Sequence, residues 1–321
     1  MVNIVCRLAI CGLVAAGSGC VILQRSNFAT WEIDADTNPA PAEAVLEGIP
    51  LRSGQIVASE QGSPQSLFLS LLVAESLPWV HTGVVAIEGG VPWLYEAQGE
   101  IRPTLKGPPT RNIGGGVRRV PLDSFIERER FIGIFDPPPG VDGAAVARYA
   151  RERYLQGTRF DAYFDTSDPS KVYCGEFTAL ALSAGGAPPR RISPFTANRS
   201  LGIMLDWLEI RSNAVIPAGM VVEDGRRVAL LSAADSRAQI AAYFAMKDEL
   251  HRRFTPEQKL GNVLSFSPIR MLGIQPEVQA FMDRVNDEAA AWDGLSSAEL
   301  VARVRKIAAE SFGDFEVATS P

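Results

Sequence analysis

Between Lys171 and Ala184 the chain runs Lys-Val-Tyr-Cys-Gly-Glu-Phe-Thr-Ala-Leu-Ala-Leu-Ser-Ala, and Gly185-Gly186 and Pro188-Pro189 follow. Phe177, Leu180, Ala181 and Ala184 recur at helical spacing, and a glycine pair with prolines just beyond ends a helix. The stretch predicts a helix of about three turns, with Cys174 in or next to its first turn. Backbone N–H groups there lack intrahelical acceptors, and the positive end of the helix dipole suits a negatively charged sulfur. The same groups suit the oxyanion that forms when such a sulfur attacks a carbonyl. A fold for this chain has to house a short apolar helix with a thiol at its N-terminus.

Composition narrows the chemistry around that thiol. The 321 residues allow one large domain or two modest ones, and 46% hydrophobic with 21% charged residues is ordinary for a soluble globular protein. The net charge of −6 argues against a nucleic-acid partner, and His251-Arg252-Arg253 is too short a basic run to make a binding surface. Two histidines and four cysteines leave no ligand-rich metal spacing, and no cofactor is expected. Gly114-Gly115-Gly116 is not followed by Lys-Ser/Thr, so no phosphate cradle is indicated. Cys6, Cys11 and Cys20 all lie in the first twenty residues, which leaves Cys174 as the lone thiol of the rest. Such a thiol is either a small buried hydrophobe or a nucleophile.

Residues 1–20 read as an export signal: Arg7 follows a short n-region, an apolar run spans Leu8 to Ala16, and Gly17-Ser18-Gly19 precedes Cys20. A cysteine directly after small residues resembles a bacterial lipobox, with Gly17 where leucine is usual, and makes Cys20 the candidate lipidation site. An ordinary cleaved signal is the alternative. Residues 21–48, with Asn38-Pro39-Ala40-Pro41, read as a tether carrying a short helix near Ala42–Leu46. A first strand is expected at Ile56-Val57-Ala58 and a buried helix from Ser66 to Leu77.

A hairpin follows. His81–Glu88 and Val91–Ala97 are β-rich, and Gly89-Gly90 is a tight-turn dipeptide. With a two-residue turn Glu88 pairs with Val91, so His81 faces Gln98 and has Glu96 one diagonal step away on the same face. A loop one residue longer would put Tyr95 and Ala97 there instead. Residues 102–116 read as loop, Val117–Pro121 and Phe131–Phe135 as strands, and Ala144–Tyr154 as an amphipathic helix. Beyond Pro189 the chain is mixed to Ser212, with a strand pair expected around Glu223-Asp224-Gly225 and helices from Ala233 on. Ser296 and Glu299 form a capping-box signature that opens a last helix, Ala298–Phe312.

Cysteine hydrolases need a thiolate, an imidazole that accepts and returns a proton, and a polar group that orients the ring. His251 lies among charged residues and reads as solvated, which leaves His81. Four segments, taken in order, carry a family likeness. Ser53-Gly54-Gln55-Ile56-Val57, His81-Thr82-Gly83-Val84-Val85, Tyr95-Glu96-Ala97 and Tyr173-Cys174-Gly175-Glu176-Phe177 together resemble the circularly permuted NlpC-type papain-like hydrolases, the YiiX/YaeF-like group. The resemblance covers roughly Leu51 to Ala187 and departs from the family pattern at Gln55, where Asp is usual, and at Gly175, where Ser is common. It implies an α+β, permuted papain-like fold, with a central antiparallel sheet packed on the cysteine helix and a helical C-terminal extension. It also implies Cys174 as nucleophile, His81 as general base and acid, Glu96 as the group orienting His81, and Tyr173 as a pocket or oxyanion residue. Gln98 is as well placed as Glu96 to orient the ring, and Trp79 is a further candidate for the pocket wall.

The expected protein is then a signal over 1–20, a tether over 21–48, a catalytic domain over 49–212 and a mostly helical extension over 213–321. Its expected activity is thiol-dependent cleavage of an amide or ester bond through an acyl-enzyme in the cell envelope. The expected partners are a peptide, amide or acyl substrate and the membrane, reached through a lipid on Cys20. Acyl transfer on the same scaffold and a catalytically silent binding lipoprotein are the alternatives, and the C-terminal helices are open to a protein partner.

Overall fold

A computed structural model describes residues 22–23, 29–33, 41–101, 113–196, 199–232, 235–254, 263–267 and 271–315. The signal-like segment with Cys20 lies outside them. Five strands, β1 (Ile22–Leu23), β2 (Ala29–Ile33), β3 (Ala44–Leu46), β4 (Ile49–Leu51) and β5 (Ile56–Glu60), precede α1 (Pro64–Ser70). The hairpin β6 (His81–Glu88) and β7 (Val91–Ile101) leads to β8 (Ile113–Pro121), α2 (Leu122–Ile126), β9 (Phe131–Phe135) and α3 (Gly143–Leu155). Two short strands, β10 (Arg159–Phe160) and β11 (Lys171–Val172), deliver the chain to α4 (Cys174–Ala184). Next come β12 (Ser193–Pro194), α5 (Arg199–Trp207), β13 (Ala214–Val215), α6 (Ala218–Val221) and β14 (Arg227–Ser232). The C-terminal part holds α7 (Arg237–Phe254), the hairpin β15 (Leu264–Ser267) and β16 (Met271–Ile274), α8 (Pro276–Ala289) and α9 (Ser297–Phe312).

The fold is α+β. Nine strands form one large open sheet in the order β11-β10-β8-β7-β6-β5-β9-β14-β2. Its pairings are antiparallel apart from β10 with β11. Alternation along the strands divides the core between two faces. Ile56, Ala58, Val84, Ala86, Tyr95 and Ala97 pack with Phe177, Ala181 and Leu182 of α4 on one face. Val57, Val85, Leu94, Ile132 and Ile134 pack with Leu46, Ile49 and Phe125 on the other. The cysteine helix thus lies against the sheet, and the β6–β7 register is the one the Gly89-Gly90 turn predicts, with Glu88 opposite Val91 and Gly83 opposite Glu96.

Several elements differ from the sequence reading. Ala44–Leu46 is a strand paired with Ile49–Leu51, because Ala44 and Leu46 bury side chains on one side, as a strand does. Together with β1 and β2 it gives the expected tether strand structure. Gly114-Gly115-Gly116 belongs to β8 and pairs with Gln98–Glu100; Gly115 has φ +94°, which glycine tolerates and which reads locally as loop. Helix α1 ends by Leu71, since the next residues pair elsewhere: the Leu72 carbonyl accepts from Thr196 N–H at 2.7 Å, and Val73 bridges Phe195. No strand pair forms around Glu223-Asp224-Gly225; β13 pairs with β12, and β14 joins the large sheet between β9 and β2. The boundary expected at 212 therefore does not divide the fold.

The capping box of α9 forms as the sequence predicts, with Ser296 and Glu299 bonded reciprocally. The C-terminal helices are joined to the sheet by buried charge. Lys247 pairs with Glu60 and donates to the Pro78 carbonyl at 2.8 Å, while the Tyr243 hydroxyl donates to the other Glu60 oxygen at 2.9 Å. Burial lowers the Lys247 pKa, and Glu60 opposes that shift. Arg130 ties the end of β9 to Asp235 and Asn286. His251 is not solvated: it is 6% exposed, its Nε2 lies 3.0 Å from the Val73 carbonyl, and burial lowers its pKa.

Removing one partner of the Glu60–Lys247 pair strands the other charge. Lys247→Met is expected to cost about 3–5 kcal/mol by urea denaturation. The double variant Glu60→Gln/Lys247→Met should recover most of that loss, because no buried charge remains.

Candidate active site

Local sequence places the thiol. The two-residue strand β11 ends at Val172, Tyr173 takes an extended N-cap conformation, and Cys174 is the first residue of α4. The Phe177 N–H donates to the Tyr173 carbonyl at 2.8 Å. The first-turn N–H groups at and after Cys174 lack intrahelical acceptors, as at any helix start. Gly175 is required here for packing: a Cβ built on it would lie 2.1 Å from the Ile216 carbonyl oxygen. The Tyr173 hydroxyl, itself buried, accepts from the Ile216 N–H at 2.8 Å. Tyr173 and Gly175 together therefore hold the 214–218 segment across the N-terminus of α4.

The hairpin places the imidazole. His81 opens β6 at the end of the sheet, and its Nε2 lies 2.5 Å from Glu96 Oε2. That is the diagonal neighbour that the turn length specifies. Glu96 is 0% exposed, and its second oxygen accepts from Arg118 Nε at 2.9 Å. The imidazole is tilted against Phe125, with centroids 6.2 Å apart. Cys174 lies close enough to the same ring to raise its pKa. Since Nε2 is taken by Glu96, the ring atom left for sulfur is Nδ1. The Cys174 Sγ is also 3.9 Å from the Val80 carbonyl oxygen, and the Thr82 hydroxyl donates to the Cys174 carbonyl at 3.4 Å.

Electrostatics follow from this chain of contacts. Burial disfavours the charged His81 ring, but hydrogen bonds and charge from Cys174 and Glu96 outweigh it and raise its pKa well above the ordinary value of 6.5. Burial likewise works against ionised Glu96, and His81 and Arg118 together still lower its pKa. Glu176 is buried, and burial lifts its pKa to about 7.

The sulfur and the ring open onto a cleft of about 550 Å³. Trp79, Gln98 and Tyr173 are among the residues that line it. Gln98 does not reach the ring; its side-chain amide donates to the Gly99 carbonyl at 3.0 Å. Trp79 is also core, edge-on to Phe135 and Phe244. Gln55, the departure from the family pattern, is buried and donates to Asp136 at 3.0 Å. The sequence names no pocket residue after Pro189. Met204, Trp207, Leu208, Ile210 and residues 215–218 nevertheless form part of the cleft wall. The amphipathic run of α5, with Leu201, Met204 and Leu205 buried, was the available signal.

No family model matches the chain, and no curated protein matches it. Among solved structures it is similar to metalloprotein YiiX from Escherichia coli O157:H7, at 17% identity and a TM-score of 0.43, over 56% of this chain and 95% of that one. Among the described residues no group of three or more His, Cys, Asp and Glu side chains is arranged to hold a metal ion.

The two histidines are expected to titrate in opposite directions, His81 above and His251 below the ordinary value, in ring-proton NMR spectra. The folded His81 ring binds its proton more tightly than the unfolded one. Its contribution to stability is therefore complete below pH 6.5 and is lost as pH rises through the folded value. Glu96→Gln should lower the His81 midpoint and flatten that pH dependence of the urea midpoint.

Proposed function

We propose that this chain is a thiol hydrolase with the permuted papain-like order, histidine strand before cysteine helix, acting on an amide or ester bond. One observation carries the reading. The lone thiol outside the N-terminal segment sits at a helix N-terminus, beside a histidine that a buried carboxylate holds, on the wall of a cleft. Packing alone asks for no such order of groups. Export and a lipid anchor on Cys20 belong to the same reading and rest on the N-terminal motif. Among the described residues no helix is long and apolar enough to cross a membrane.

The geometry supports the following steps. His81 Nδ1 takes the thiol proton, and the Cys174 sulfur attacks the carbonyl carbon to form a C–S bond. The resulting oxyanion is stabilised at the N-terminus of α4, where free N–H groups and the helix dipole converge. Collapse breaks the bond to the leaving amine or alcohol, which takes the proton from His81. Water then gives a proton to neutral His81 and attacks the thioester; the C–S bond breaks, the acid leaves and the starting state returns. Glu96 holds the ring by Nε2 throughout and stabilises its positive charge, and Arg118 keeps that carboxylate ionised. A non-water acceptor in the second half would make the same acyl-enzyme a transferase, and product analysis separates the two.

Cys174→Ala is expected to abolish turnover of activated acyl esters, and His81→Ala to slow iodoacetamide labelling of Cys174 by about 10²-fold or more. Equal labelling rates with and without His81 would leave a binding module. In the pH profile of kcat/KM, activity falls at high pH as His81 loses its proton, and its raised pKa puts that limb above the ordinary histidine range. Glu96→Gln should move the alkaline limb downward.

A further inference from the structure

Glu176 stands in the first turn of α4, two residues after the thiol, and the catalytic steps leave it without a role. It is 4% exposed, and its Oε2 is buried with no hydrogen-bond partner. A carboxylate stays ionised in such a place when cations or N–H donors take its oxygens. Glu96 has partners on both of its oxygens, His81 and Arg118. Oε2 of Glu176 has none.

The neighbours of Glu176 settle where a proton goes. Helix α4 packs against α3, β6, β7 and α6. From α3, Arg153 and Tyr149 face the carboxyl, but Arg153 donates to the Pro169 carbonyl at 2.7 Å and to Gln156, and only weakens the effect of burial. From the turn after β10, Asp161 and Asp165 oppose a negative charge on it. Lys171 is paired with Asp168, and burial keeps the Tyr173 phenol neutral. On β6 and β7, His81 is bonded to Glu96 and Glu88 to Tyr95, and Glu100 is exposed; α6 carries no titratable side chain. Asp161 is 1% exposed, and its two oxygens accept from the Tyr163 N–H at 2.9 Å and from the Asp165 N–H. Those donors suit a carboxylate, so of the two buried acids it is Glu176 that takes the proton.

The position gives that proton a consequence. The Cys174 thiolate and the oxyanion both draw on the free N–H groups and the positive dipole end at the start of α4. An ionised Glu176 draws on the same field and repels both anions, whereas a protonated one does neither. Resting on the thiol-hydrolase reading, we infer that the Glu176 proton tunes the nucleophile: while it is held, the start of α4 serves sulfur and oxyanion, and once it is lost a buried negative charge opposes them. Activity then falls in a step of its own, near pH 7, before the limb set by His81.

The test compares the full chain with Glu176→Gln, which keeps the shape and stays neutral at every pH. The ratio of iodoacetamide labelling rates at Cys174, variant over wild type, is expected to be near one at pH 5.5. It should rise through pH 7 to about two- to fivefold at pH 8, the effect of one charge in a first helical turn. The ratio of kcat/KM for p-nitrophenyl acetate should follow the same curve. A ratio that does not change with pH, whatever its size, marks a purely structural residue and overturns the inference. Carbon-13 NMR of glutamate-labelled Cys174→Ala should show a carboxyl that titrates near pH 7 and moves to lower pH on Asp161→Asn. Should Glu176→Gln not fold, that titration decides alone: no glutamate that responds to Asp161→Asn with a midpoint above pH 6 overturns the inference. A flat ratio with His81-dependent labelling leaves the thiol hydrolase standing. A rising ratio with labelling indifferent to His81 keeps the effect of Glu176 on the thiol and overturns the hydrolase instead.

Discussion

Glu96 is a carboxylate buried to zero exposure between two strands, and the site depends on how its charge is kept there. A lone ionised carboxylate in that position would protonate rather than persist. Here one oxygen takes His81 and the other takes Arg118, and the balance favours the charged form despite burial. The same interaction fixes the tautomer and tilt of the imidazole and leaves its second nitrogen to the sulfur. A neutral residue of the same shape would fill the space without doing either.

The opposite half of the site depends on a close backbone approach. Gly175 lets the first turn of α4 lie against the Ile216 carbonyl, and the Tyr173 hydroxyl holds the adjoining amide. One segment from beyond residue 212 thereby becomes part of the wall beside the thiol. The Tyr173 hydroxyl is taken up by this contact.

The helical C-terminal part belongs to the same unit. Helix α7 is anchored through Lys247 and Tyr243 to Glu60, the last residue of β5, whose neighbour Ser59 pairs with His81. Strand β14 fills a place inside the sheet.

What the sequence determined by itself was local. The Gly89-Gly90 turn has a fixed length, and so it set the β6–β7 register and made Glu96 the diagonal neighbour of His81. The apolar run ending in Gly185-Gly186 set α4, with Cys174 at its start, and Ser296 with Glu299 set the start of α9. Each rests on contacts within a few residues, which composition and spacing encode directly. Tertiary structure decided the rest: that Glu96 and not Gln98 reaches the ring, that His251 is buried, that β14 enters the large sheet, and that α5 lines the cleft. Those outcomes depend on partners far away in the chain, such as Arg118, Val73, β9 and the thiol itself, and no local pattern names a distant partner.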